Sequence, residues 1–176
     1  MSTEVLPLAH LAVKRVAALD DFSSVASMWQ TFWRKCGRAA RHPTPAETVT
    51  CYGRLANATP HFLTLISDER LIGVVPLVAA RVDAARVLQL LARGSDETFD
   101  ALVEPGFEPA AGTAVFEFLA QRAAEWDCCE FSGLRAGSIL LNPEVPLTWS
   151  DRMEPHDPSP VEAPRYRRIL RHAAAA

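Results

Sequence analysis

Three carboxylates, Asp96, Glu97 and Asp100, follow Gly94 closely and stand just before or at the start of a predicted strand. Loops at strand ends often carry functional groups. A carboxylate held there is a general base for an amine once burial raises its pKa; left in water, the same three make a polar loop and nothing more. Glu130 lies in the otherwise apolar run Cys128-Cys129-Glu130-Phe131. It needs either an arginine partner, such as Arg122 or Arg135, or a place on an exposed face. Arg165, Arg167, Arg168 and Arg171 concentrate positive charge near the end of the chain, fit either to touch a phosphate-rich partner or to start a solvated helix. The histidines, at 10, 42, 61, 156 and 172, are dispersed and fall mostly in predicted loops, where a solvated ring is expected. There is no GxSxG elbow, no GxxxxGK[ST], no GxGxxG after a strand and no HExxH. Cysteines at 36, 51, 128 and 129 form no CxxC pair and no Cys/His cluster at zinc spacing, so no metal site is expected and the thiols are expected to be reduced and mostly buried.

The 176 residues are enough for one domain with an appendage, and a core of that size requires no staple. A net charge of −3 gives no reason to expect nucleic acid or an acidic membrane as a partner. The longest apolar run, residues 71–80, is about half a membrane span and contains Pro76. No basic stretch precedes an apolar core at the N-terminus. A cytoplasmic, soluble protein without a transmembrane segment is expected.

The elements that must position these groups can be read from periodicity. Residues 13–18 are a candidate first strand. Phe22, Val25, Trp29, Phe32, Trp33 and Cys36 fall on one helical face, with Asp20 or Asp21 as cap and Gly37 as stop. Thr44-Pro45-Ala46-Glu47 reads as a capping box opening a second helix, in which Val49, Tyr52 and Leu55 form the apolar stripe. From Phe62 the period changes to that of strands. Residues 62–66 and 71–82 flank the turn Asp68-Glu69-Arg70, and Asp83-Ala84-Ala85 turns again into 86–91. Pro76 is expected at a bulge or on an unpaired side. Residues 99–103 are a fourth strand candidate, 109–125 a third helix, 127–134 a buried strand and 136–141 a helical turn. The helix leading directly into a strand predicts a βαβ-type crossover. Residues 142–164 hold six of the thirteen prolines and no glycine, which predicts a linker. The expected division is a domain at 1–141, a Pro-rich linker at 142–164 and a short basic helix or frayed tail at 165–176.

Taken in order, several short motifs resemble the N-terminal half of CelD-like GNAT-type acetyltransferases, relatives of the FemAB-type transferases that are built from two GNAT-like halves. They are the Trp29/Trp33 helix, the strand through Val75-Pro76-Leu77, the strand and loop at 88–94, the strand end at 100–106 and the strand at 126–134. The likeness covers roughly residues 10–141. Ser159-Pro160-Val161 and Tyr166-Arg167-Arg168-Ile169-Leu170-Arg171 look like the passage into the second half. The resemblance implies an α/β (α+β) fold, a GNAT-like mixed, mainly antiparallel sheet flanked by helices with a Pro-rich C-terminal linker. It implies an N-acyltransferase that moves an acyl group from acyl-CoA to an amine, with acetyl-CoA or another acyl-CoA as co-substrate. A strand-bulge N–H near Pro76 would polarise the thioester carbonyl. The likeness also implies that this chain is one half, completed by a second GNAT-like domain or by self-association. The alternative is a non-catalytic interaction module or a truncated remnant. Acyl-CoA sites of this superfamily use a [RQ]xxGx[GA] loop, whereas Glu104 to Gly112 reads EPGFEPAAG, with two glutamates that repel phosphate. No catalytic residue transfers by motif.

Overall fold

The computed structural model describes residues 11–37, 42–93, 97–141, 145, 148–156 and 165–172. The first strand, β1 (Leu11–Val16), leads into the aromatic-rich segment. Phe22, Trp29 and Phe32 of that segment are buried on one face, as their spacing requires, but it is not one continuous helix. A 3-10 turn at Leu19–Ser24 precedes α1 (Ala26–Phe32), and a π turn follows at Trp33–Gly37. The Asp20 and Asp21 side chains cap nothing; instead the Ser23 and Ser24 hydroxyls donate to the Asp20 and Asp21 carbonyls, competing with helical bonding. Gly37 allows the wide turn, because a Cβ there would lie 2.3 Å from Trp33 Cδ1. The capping box is formed at the start of α2 (Pro45–Gly53), where Thr44 Oγ1 accepts from the Glu47 N–H and Glu47 Oε2 accepts from the Thr44 N–H.

The sheet begins with the expected hairpin of β2 (Ala58–Ser67) and β3 (Arg70–Val82). Asp68 and Glu69 both take positive φ, 49° and 61°, the geometry of a two-residue turn that matches strand twist. Asp83 and Ala84 repeat it, at 49° and 69°, into β4 (Ala85–Leu90). Pro76 is not at a bulge. It sits opposite Phe62 in regular register, and the irregularity lies at Leu65/Ile66. Pro76 marks the place where β3 changes neighbours, from β7 (Leu102–Val103), which pairs Gly73 and Val74, to β4, which pairs from Leu77. Its missing N–H falls in that gap of the ladder. Of the expected strand at 99–103 only Leu102–Val103 forms, as β7 against β3, and before it β5 (Ala92–Arg93) pairs β6 (Glu97–Thr98). Helix α3 (Glu108–Gln121) then crosses over to β8 (Cys128–Arg135), which runs parallel to β4.

The C-terminal segments depart most from expectation. Within the predicted linker, Trp149–His156 forms β9, and the predicted basic helix is a strand, β10 (Arg165–His172). Both belong to the main sheet, in the order β1-β2-β3-β4-β8-β10-β9. The tail thus supplies strands to the same sheet. Arg168 anchors it: its guanidinium is bidentate to Asp151, at 3.0 and 2.7 Å, donates to the Leu140 carbonyl at 2.8 Å and lies over the Phe116 ring. Among the described residues no helix is long and apolar enough to cross a membrane.

One face of the sheet packs on α3 through Leu63, Leu65, Val115, Phe116, Leu119 and Phe131, the other on α1 and α2 through Phe22, Trp29, Tyr52, Phe62 and Val74. Cover on both faces explains why β3 is apolar along most of its length instead of alternating. Cys128 and Cys129 are buried at the start of β8 as free thiols.

His61, expected in a loop, is buried on β2. Burial, with Arg15 and Arg122 nearby and Glu125 opposing them, lowers its pKa to about 4. The unfolded chain therefore takes up this proton first as the pH falls. Stability is full above about pH 6.5 and drops by up to ~3 kcal/mol on the way down to about pH 4. Urea midpoints of the wild type and His61→Leu at pH 7.5, 5.5 and 4.5 test this. The wild type is expected to lose more stability with acid than the variant, and equal slopes would refute it.

Candidate active site

Strands β4 and β8 stay paired for only three residues, Val87–Cys128, Leu88–Cys129 and Gln89–Glu130. Beyond Gln89 the chain turns back towards β3, where the Leu91 N–H donates to the Pro76 carbonyl at 2.7 Å. The β5–β6 hairpin folds across the opening, and Thr98 Oγ1 donates to the Ser132 carbonyl of β8 at 2.8 Å. Gly133 makes the approach possible. Its φ is +72°, and a Cβ on it would lie 2.3 Å from Thr98 Oγ1. Gly133→Ala therefore combines left-handed backbone strain of about 1–2 kcal/mol with a steric conflict that displaces Thr98. Denaturant midpoints are expected to show a loss of about 2 kcal/mol or more, part of it recovered in Gly133→Ala/Thr98→Ala. A neutral Gly133→Ala would contradict this packing.

What remains outside the carboxyl ends of β4 and β8 is a crevice of about 340 Å³, lined among others by His42, Glu97, Asp100, Arg135, Ser138 and Arg165. This is the position at which α/β sheets, where their connections diverge, commonly take ligands. Asp100 is its chemical centre. Oδ1 accepts from the Ser138 hydroxyl and the Ala101 N–H, both at 2.7 Å, while Oδ2 has a longer bond, 3.3 Å, from the Arg135 N–H. Burial pushes the carboxyl pKa up, and the bonds from Ser138, Ala101 and Arg135 only partly oppose it.

His42 reaches the crevice from the segment before α2. Its Nε2 lies 2.9 Å from the Asp100 carbonyl and its Nδ1 3.2 Å from the Pro43 carbonyl. Burial lowers its pKa against those two acceptors. A neutral ring donates to one carbonyl at a time, and through the shorter contact, from Nε2 to the Asp100 carbonyl, His42 ties the two segments together. Trp33, at the π turn, donates its indole N–H to the His42 carbonyl at 3.0 Å and fixes that segment to the end of α1.

Of the sequence candidates, Asp100 is inside the crevice. Glu97 is on its exposed rim, 3.7 Å from Arg93. Asp96 lies outside the described residues. Glu130 faces Arg167 on β10 instead of Arg122 or Arg135. His42, Ser138 and Arg135 carry no site signal in the sequence, and Arg165 stands out there only as part of the basic tail. His42 has the surroundings of a solvated loop histidine, and the others come from distant elements with no shared motif. Among the described residues no three His, Cys, Asp or Glu side chains gather as a metal site. The N-terminus of α3 carries its own carboxylates: Glu108 Oε2 accepts the Gly106 N–H at 2.7 Å, and Glu104 is held by Lys35 and Arg70, which lower its pKa.

No family model matches the chain, and no curated protein is similar to it in sequence. A GNAT-family acetyltransferase from Streptococcus pneumoniae, however, superposes with a TM-score of 0.50 over 94% of this chain and 100% of its own, at 9% identity. The fold is of the GNAT type. Two further GNAT structures are similar at lower scores. One is a tandem GNAT protein from the clavulanic acid biosynthesis pathway, with TM-score 0.47, 15% identity and coverage of 86% of this chain and 57% of that one. The other is a glucosamine N-acetyltransferase region in a fungal multi-domain GH3 β-N-acetylglucosaminidase, with TM-score 0.42, 17% identity and coverage of 72% and 14%. The chain thus spans under two thirds of either of these longer proteins. In this GNAT-type sheet the crevice lies beyond the parallel β4–β8 contact, at the carboxyl end of β8, and α3 is the crossover between those two strands.

Proposed function

We propose that the chain is a GNAT-type N-acyltransferase unit, which holds an amine in the crevice and transfers to it an acyl group from acyl-CoA. The observation that carries this reading is Asp100, a buried carboxyl with raised pKa and one lightly held oxygen at the carboxyl ends of a parallel strand pair. Asp100 takes the proton that the amine nitrogen loses as its bond to the acyl carbon forms. The thioester C–S bond breaks, and the thiolate leaves and takes up a proton. Kinship with CelD-like and FemAB-type transferases remains part of the proposal, on the ordered short motifs, as does completion by a second GNAT-like unit.

A second reading, a non-catalytic GNAT-like module, is favoured by one feature. The α3 N-terminus, where an acyl-CoA pyrophosphate would be received, presents Glu104 and Glu108. A thermal melt with acetyl-CoA, followed by thiol release in the presence of amines, separates the two. Acetyl-CoA at a hundred times its Kd raises the melting temperature by roughly 5–10 °C if the chain binds it. A cooperative melt with no shift and no thiol release would leave the module reading.

A further inference from the structure

We infer that a groove between α1 and the start of β3 binds a small carboxylic acid with a short apolar tail. The groove shares no lining residue with the crevice, and the inference does not depend on the transfer reading. Ser27, Met28, Thr31, Phe32 and Lys35 recur at helical spacing along α1 and the π turn and form one wall. Arg70 and Leu71 of β3 form the other. Phe32 and Leu71 are buried, while Met28, a large apolar side chain, remains 37% exposed. The three together give the groove a surface fit for hydrocarbon.

The polar part of the groove is cationic and is fixed by a carboxylate that does not line it. Glu104 Oε1 accepts from Lys35 Nζ at 2.6 Å, and Oε2 accepts from Arg70 Nη1. The Glu104 side chain is 13% exposed and is absent from the groove wall, whereas both cations are on it. One carboxylate therefore orients two cations and leaves a net positive charge beside the apolar surface. Arg70 Nε and Nη2 and the other ammonium protons of Lys35 make no hydrogen bond among the described residues. The Thr31 hydroxyl is engaged by the Ser27 carbonyl at 3.0 Å, so the strong donors facing the groove are the two cations. An arriving carboxylate meets oriented, charge-assisted donors, and its tail meets Met28, Phe32 and Leu71. The volume, about 220 Å³, equals that of about seven waters at ~30 Å³ each, which suits a tail of about five carbons and is too small for a nucleotide.

The test is titration of the full chain with hexanoate, hexanol, acetate and inorganic phosphate, read by backbone amide NMR shifts. Hexanoate is expected to bind about tenfold or more tightly than hexanol, which lacks the charge, and than acetate, which lacks the tail. The shifts are expected to centre on Met28, Phe32 and Leu71. Lys35→Gln and Arg70→Gln are each expected to weaken hexanoate about three- to tenfold and to leave hexanol unchanged. Met28→Glu sets a carboxylate beside both cations at an exposed helix position, and is expected to weaken hexanoate at least about tenfold with an unchanged melt. Arg135→Gln, in the crevice, is expected to alter none of these values. Equal binding of hexanoate and hexanol overturns the inference. So does tighter binding of phosphate than of hexanoate, since the cations alone would then be the site. Shifts confined to Asp100, Arg135 and Ser138 overturn it as well, because the acid would then occupy the crevice. No arm uses acetyl-CoA, so the result stands whether or not the chain transfers acyl groups.

Discussion

Replacing Arg168 by leucine lowers the melting temperature by about 6–12 °C. The side chain is 3% exposed and satisfies both oxygens of Asp151 and the Leu140 carbonyl, itself in the core. Removing one member of a buried charge pair costs ~3–5 kcal/mol, and the lower figure applies because Asp151 is 31% exposed and can regain water. At 2–4 °C per kcal/mol for a chain of this size, that gives the stated fall. Asp151→Ala is expected to cost more, since it leaves a guanidinium in the core without the carboxylate that meets it. Leucine at 168 within 1 °C of the wild type would mean that β10 is held by its ladder alone.

The second large effect concerns chemistry. Asp100→Asn is expected to reduce acyl transfer by about 10²–10⁴, the usual contribution of a positioned base, while the melt changes little. The amide oxygen can still accept from Ser138 and the Ala101 N–H. The pH profile gives the distinguishing sign. A base at Asp100 works when deprotonated, and burial raises its pKa, so wild-type activity is expected to climb with pH through an inflection shifted upward from that of a free aspartate. The asparagine variant lacks that limb. Ser138→Ala removes a bond that favours the charged form and moves the inflection further up. Full activity in Asp100→Asn would assign the proton to another acceptor.

Local chemistry made much of the fold legible. Thr44 and Glu47 announce a helix start, and Asp68-Glu69 separates two β-rich runs, because each signal is complete within a few residues. The tail was misread for a definable reason. On β10, Arg168 and Leu170 are buried while Arg171 is exposed, a pattern of period two. One of its buried positions is an arginine, which hides the alternation and leaves a basic, helix-like composition. Of the aromatic stripe of α1, Phe22, Trp29 and Phe32 are buried and Val25, Trp33 and Cys36 half-buried, and the helix is broken because the Ser23 and Ser24 bonds and the Gly37 turn are invisible to periodicity. At the site, Asp100 stood out as an acid at a strand edge. His42, 58 residues away, and the Arg135–Arg165 pairing depend on the crossover that assembles them.

Strand β10 lies between β8 and β9 in the sheet although it follows both in the chain. Vectorial synthesis therefore delivers the strand at the sheet's edge before the strand that joins it to the centre. Until β10 emerges, β8 presents an open edge and β9 has no neighbour to zip onto. This end of the sheet, with the Arg135–Arg165 wall of the crevice, accordingly forms after the β1–β4 side, whose strands are all synthesised earlier.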